Sequence, residues 1–132
     1  MRKRTRAAFM PSKNKTRARS IQPRIRILRR SDIAIGPGKA ELLAMVGETG
    51  SIREAARQMD MSYMRAWNLI QMMNRCFKEP VVLTVRGGQS GGGGAELTAT
   101  GRKALQLYQK MEVASLSAVK SSWKNFQQLL RD

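Results

Sequence analysis

The spacing of apolar and polar positions changes several times along this chain, and each change predicts an element. Arg24-Ile25-Arg26-Ile27 alternates with a period of two, the pattern of a half-buried strand, and Leu28 extends it. Gly36-Pro37-Gly38 breaks the run. Ala40, Leu43, Ala44 and Val46 then recur at helical spacing, predicting a first helix over about 38–49 that ends at Gly50. Ser51 followed three residues later by Glu54 is a capping box, so a second helix runs to about Met59. A short turn at Asp60-Met61 follows, and Ser62 caps a third helix that continues to about Phe77. Pro80 stops helices, and Val81-Val82-Leu83-Thr84-Val85 is a β-branched run of strand type. A glycine-rich stretch separates it from Ala95-Glu96-Leu97-Thr98, which predicts a return strand and hence a hairpin with a long tip. Thr98 or Thr100 caps a last helix that meets no Pro or Gly after Gly101, with a weak point around Ser115-Ser117 and Ser121-Ser122. The order strand, three helices, hairpin, long helix predicts a fold that is mainly α with a small β-hairpin. It is the order of a winged helix-turn-helix with a long C-terminal helix.

The pattern within 51–77 sharpens this reading. Two helices that cross closely need small residues at the crossing, and Ala55-Ala56 supplies them, with Ile52, Met59 and Met61 as flanking apolar contacts. In the third helix Tyr63, Ala66, Ile70, Met73 and Phe77 recur at spacings of three and four and predict a core stripe, bordered by Trp67 and Asn74. Met64, Arg65, Asn68, Gln71, Met72 and Arg75 fall on the opposite face. The first turns of a recognition helix enter the major groove, where Arg can fork onto guanine and Asn can pair with adenine. Arg65 and Asn68 are therefore the base-reading candidates. Ser51, Ser62, Tyr63, Met64, Gln71 and Arg75 complete the candidate helix contacts, and Ser62 with the first-turn N–H groups suits a phosphate. Any amphipathic helix has a polar face, so it is the combination with the turn, the caps and the hairpin that gives this face weight.

Charge changes the picture most. Lys and Arg number 25 against 9 Asp and Glu, a net charge of +16. Twelve basic residues and no acidic one lie in 1–31, so three quarters of the excess sits in the first quarter of the chain. Such a balance favours a polyanion partner, nucleic acid before anionic membrane. Residues 1–22 lack apolar periodicity and are expected to be a disordered basic arm when free, laying Arg2, Lys3, Arg4, Arg6, Lys13, Lys15, Arg17 and Arg19 on phosphates. The alternative is a solvated tail.

The same composition narrows the chemistry. There is no His and one Cys, Cys76. Imidazole catalysis, imidazole metal sites and internal disulfides are thereby excluded, and no catalytic or metal-binding constellation is legible. Cys76 and the nine Met residues are read as packing. The glycine run lacks the GxxxxGK[ST] pattern of a phosphate-binding loop, and is read as a wing with Arg86 at its base and Gln89 at its tip. No stretch approaches the roughly 18 apolar residues of a membrane span.

GPGKAELL, then ETGSIREAARQMDMSYMRAWNLIQMMNRCF, then GGQSGGGGAELTATGRKAL resemble the N-terminal DNA-binding domain of ModE-type, molybdate-responsive transcriptional regulators. The resemblance covers about residues 24–112. SYMRAW and the glycine-rich wing ending in LTATGR are its specific parts, whereas regulators of the LysR type share only the general shape. It implies a winged-helix regulator that binds a palindromic operator as a homodimer. In that family the effector is bound by separate C-terminal oxyanion-binding modules, so the expectation here is no small-molecule effector bound by this chain itself, and no cofactor. Asp60 departs from the Gly common in such turns, but Asp tolerates left-handed backbone better than most residues.

The expected organisation is an arm (1–22), a winged helix-turn-helix domain (23–113) and a C-terminal helix for dimerisation (114–132). In that helix Leu116, Val119, Trp123, Phe126 and Leu130 form a heptad-type seam, while Leu105 and Tyr108 face the protomer's own core. The expected function is a cytoplasmic, nucleoid-associated, non-enzymatic regulator acting on double-stranded DNA. The rivals are a basic protein that coats nucleic acid or associates with RNA without specificity, and a winged-helix module that docks on another protein.

Overall fold

The computed structural model describes residues 19–85 and 94–132. Among them the architecture is mainly α with a small β part, five helices and two two-stranded antiparallel sheets. Strand β1 (Ile27–Arg29) pairs with β2 (Asp32–Ile35). Helices α1 (Pro37–Thr49), α2 (Ile52–Gln58) and α3 (Tyr63–Cys76) follow. Strand β3 (Val82–Val85) pairs with β4 (Gly94–Leu97), with Val82 opposite Leu97 and Val85 opposite Gly94. Helices α4 (Ala99–Ala118) and α5 (Lys120–Gln127) complete the order.

Two expectations at the N-terminal side need correction. The strand starts at Ile27 rather than Arg24, and it belongs to a hairpin whose second strand was not foreseen. The turn between the strands, Arg30-Ser31, holds Arg30 at φ 59°. That conformation is usually left to Gly or Asn, so an Arg-Ser pair carries no hairpin signal. Gly36-Pro37-Gly38 is also less a break than a beginning: Gly36 is the N-cap of α1 and Pro37 its first residue, where a missing N–H costs nothing.

Helix α1 is the hub. Leu42, Leu43, Met45 and Val46 are fully buried, and α2, α3, α4, β2 and β4 all pack against it. Gly50 ends it at φ 72°, donating its N–H to the Val46 carbonyl. The Gly50 carbonyl accepts from Ala95 N–H at 2.9 Å, which fastens β4 to the α1–α2 connection. Lys39 lies on the buried side of α1 and donates to the Ile33 carbonyl and to Met72 Sδ, joining β2 to α3. Burial pushes its ammonium below the ordinary lysine range, against the opposing pull of Cys76 and Asp32.

Tyr108 anchors α4 to the core, as foreseen; it is fully buried and its hydroxyl donates to the Ile25 carbonyl at 2.7 Å. Leu105 packs against the same cluster. The long last helix is interrupted at Val119 (φ −99°, ψ 5°), between the two serine pairs that marked the weak point. Ser115 Oγ donates to the Glu112 carbonyl, one of the side-chain bonds that compete with regular helix.

Candidate nucleic-acid interface

The α2–α3 unit is built from short-range rules. Ser51 Oγ accepts from Glu54 N–H at 3.0 Å, and Ser62 Oγ accepts from Arg65 N–H at 3.0 Å, so both predicted caps form. The reciprocal half of the capping box is replaced: Ser51 N–H donates to Thr49 Oγ1, while the Glu54 carboxylate accepts from Arg57 and Gln58. Between the helices Asp60 sits at φ 61°. Met61 N–H donates to the Ala56 carbonyl and Asp60 N–H to the Arg57 carbonyl, the paired bonds of a Schellman turn with Asp in the place of Gly. Ala55, Ala56 and Ala66 are at most 2% exposed, so the crossing uses small residues as predicted, with Ala66 added from α3.

The turn fixes which face of α3 looks out. Ala66, Ile70 and Met73 are buried; Met64, Arg65, Asn68 and Arg75 are exposed, and Gln71 is half-buried. Three positions differ from the helical-wheel expectation. Tyr63, the first residue of α3, is 36% exposed rather than core. Its ring stacks on Trp67 with centroids 6.3 Å apart. Phe77 is half-buried at the extended C-cap position. Met72 turns toward Lys39 instead of lying on the open polar face.

Asn74 has a role the sequence did not reveal. Its Oδ1 accepts from Val81 N–H at 2.7 Å and from Val82 N–H at 3.3 Å, and its Nδ2 donates to the Val82 carbonyl at 3.2 Å. Helix α3 thus grips the root of the β3–β4 hairpin with a single side chain. On the other side, Thr98 N–H donates to the Val81 carbonyl and Thr98 Oγ1 to the Pro80 carbonyl. Thr98 Oγ1 also caps α4 by accepting from Gly101 N–H. Gly101 is required where it stands, since a Cβ there would lie 2.1 Å from the Val81 carbonyl oxygen. The hairpin is therefore held from three sides, at Gly50, Asn74 and Thr98. Arg86 and Gln89, with the rest of 86–93, lie outside the described residues, as do the arm residues 1–18.

Arg19, the one basic arm residue within the described part, does not project freely. Its guanidinium donates to the Gln127 carbonyl at 2.8 Å and lies 4.0 Å from the Asp132 carboxylate. A cation at the carbonyl end of α5 is favoured by the helix dipole. The expected seam does not lie on one helix: Leu116 is on α4, Val119 at the break, Trp123 and Phe126 on α5 and Leu130 beyond its end; Leu116 and Trp123 are half-buried, while Val119, Phe126 and Leu130 are exposed. Trp123 and Phe126 stack with centroids 6.4 Å apart.

Among the described residues no cluster of three or more Cys, Asp and Glu could hold a metal ion, and no helix is long and apolar enough to cross a membrane.

No family model matches the sequence. Individual proteins do. The molybdenum-pterin-binding protein MopB of Rhodobacter capsulatus is 40% identical over 98 residues, 74% of this chain and 36% of MopB. The molybdenum transport protein ModE of Azotobacter vinelandii is 37% identical over 86 residues, 65% of this chain and 32% of that protein. The DNA-binding transcriptional dual regulator ModE of Escherichia coli K12 is 39% identical over 72 residues, 54% of this chain and 27% of that regulator. The chain thus spans about a third of the length of the relatives it matches. Its likeness is to the ModE regulators and to the molybdenum-pterin-binding protein MopB, a group named for transcriptional control and molybdenum binding rather than for enzymatic activity.

Proposed function

We propose that this chain is a winged helix-turn-helix transcriptional regulator of the ModE type, acting as a dimer on a palindromic double-stranded operator. The carrying observation is the α2–turn–α3 unit. A Schellman turn at Asp60 buries Ala66, Ile70 and Met73 and leaves Met64, Arg65 and Asn68 exposed on the first turns of α3. In this reading α3 enters the major groove, Arg65 and Asn68 read base edges, and Ser51, Ser62, Tyr63, Gln71 and Arg75 line the contact. The hairpin β3–β4 is the wing, bringing Arg86 and Gln89 to the backbone, and the basic arm neutralises further phosphates. Residues 23–113 form the binding domain. The exposed Val119, Phe126 and Leu130 beside Trp123 supply the dimer seam in 114–132. The relatives' names support the regulator class, and the net charge of +16 supports the partner.

A protein that merely coats nucleic acid would share the charge but not the outward Arg65–Asn68 pair on a fixed helix. Selection of bound sites from random duplexes separates the two. The regulator yields a two-fold symmetric consensus that it retains against excess random DNA; selected pools without a consensus would reject the regulator reading.

A further inference from the structure

Helix α2 carries two arginines in different electrostatic states. Arg57 is engaged by the Glu54 carboxylate one turn before it, and that hydrogen bond raises its pKa. The Arg53 side chain makes no hydrogen bond or ion pair among the described residues; its guanidinium carbon instead sits 4.7 Å from the centroid of the Tyr63 ring. Tyr63 in turn stacks on Trp67, which packs on the core. A chain of flat groups therefore runs from the core, through Trp67 and Tyr63, to an exposed guanidinium beside the first turn of α3.

We propose that Arg53 is a phosphate-binding residue of the DNA interface and that Tyr63 positions it, so that the Arg53–Tyr63 pair clamps the duplex backbone next to the bases faced by Arg65 and Asn68. A guanidinium lying on an aromatic face keeps its N–H donors at its edge, directed away from the ring. Its position is restricted before binding, so less rotamer freedom is lost when a phosphate arrives. The ring supplies attraction without neutralising the charge, unlike the carboxylate that holds Arg57. This also accounts for the exposure of Tyr63, which a core residue would not show. The inference rests on the reading of α3 as the DNA-facing helix, but it concerns the sugar-phosphate backbone and is independent of sequence preference.

The test measures affinity against salt concentration for the full chain on two duplexes of equal length, one selected by the wild type and one scrambled. Arg53→Ala flattens the slope of log affinity against log salt by about 0.9 on both duplexes, the contribution of one neutralised phosphate, and leaves their affinity ratio unchanged. Arg53→Lys restores the slope. Arg57→Ala, on the same helix, leaves it as in the wild type. Tyr63→Phe keeps the ring face and weakens binding less than Tyr63→Leu does. Tyr63→Leu weakens both duplexes roughly two- to fivefold, the worth of an exposed cation–π platform, with the slope retained. Circular dichroism shows that each variant is folded. A wild-type slope in folded Arg53→Ala, or a loss in Tyr63→Phe equal to that in Tyr63→Leu, overturns the proposal. A wild type with no preference between the duplexes refutes the regulator reading instead, and the Arg53 slope is still measured on either one.

Discussion

Gly101→Ala should destabilise this protein by about 3 kcal/mol, although alanine is the better helix former. Gly101 is the third residue of α4, and its backbone is pressed against Val81, the residue before β3. An added Cβ would lie 2.1 Å from the Val81 carbonyl oxygen, 3.0 Å from its carbonyl carbon and 3.2 Å from its Cα. The first distance is more than an ångström inside contact, and the obstacle is backbone, which cannot rotate aside. The helix start must retreat from Val81, stretching the bonds from Thr98 N–H to Val81 (3.0 Å) and from Thr98 Oγ1 to Pro80 (2.6 Å). Each contributes about 0.5–1.5 kcal/mol net, and overpacking adds about 1–3 kcal/mol. Helix propensity returns at most about 1 kcal/mol. Equilibrium unfolding in urea measures the difference directly. Gly38→Ala is the matched control. Gly38 also lies in a first helical turn, but nothing stands within 4 Å of its added Cβ, so the substitution should stabilise by about 0.5–1 kcal/mol. If Gly101→Ala unfolds within about 0.5 kcal/mol of the wild type, the tight approach of α4 to Val81 is not a feature of the folded protein.

Arg65→Ala and Asn68→Ala should each reduce discrimination between the selected and scrambled duplexes by about 1–3 kcal/mol; competition binding with unchanged ratios would remove them from base reading. Burial, with Glu112 adding to it and Arg24 and Arg26 opposing, pushes the Tyr108 hydroxyl up to about 12. Its unfolded value is about 10. The stabilisation from this neutral phenol is therefore complete below pH 10 and is lost as pH rises toward 12, so the stability advantage over Tyr108→Phe should stay level to about pH 10 and shrink above it. Sedimentation at micromolar concentration should show a wild-type dimer and a monomer for the Trp123→Ala, Phe126→Ala double variant; a monomeric wild type would rule out the seam.

What the sequence made legible was governed by local rules. Ser51 and Ser62 announced two helix starts because capping depends on residues three apart, and the core face of α3 followed from its period. Asp60 was readable as a tolerated left-handed residue. The missed features depend on contacts distant in sequence or on uncommon choices. The β1–β2 turn uses Arg30 where a hairpin signal would have been Gly or Asn. Lys39 counts as polar in any periodicity, yet its long stem crosses the buried side of α1 to reach Ile33 and Met72. Asn74 borders the core stripe and looks like surface until Val81 and Val82 are placed beside it. Arg19 belongs by composition to the arm, but its partner is Gln127, 108 positions away.

These long-range contacts bear on how the proposed site would keep its geometry. Val81 lies at a junction: its N–H is held by Asn74 of α3, its carbonyl by Thr98 at the start of α4, and Gly101 lets α4 approach it. Helix α3 and the start of helix α4 are thus joined through one hydrogen-bonded residue just before β3. A dimer joined through the continuation of α4 must relate its two recognition helices through that junction. Half-site spacing is set by the distance between recognition helices, so the rigidity of the Asn74–Val81–Thr98 connection limits which spacings are accessible. Asn74→Ala removes three hydrogen bonds to Val81 and Val82, at the root of β3, without touching the exposed face of α3. It should broaden the half-site spacings recovered by selection while leaving the base preference within each half-site intact. If spacing stays as sharp as in the wild type and only overall affinity falls, the junction supports stability alone, and the distance between recognition helices is fixed elsewhere in the dimer.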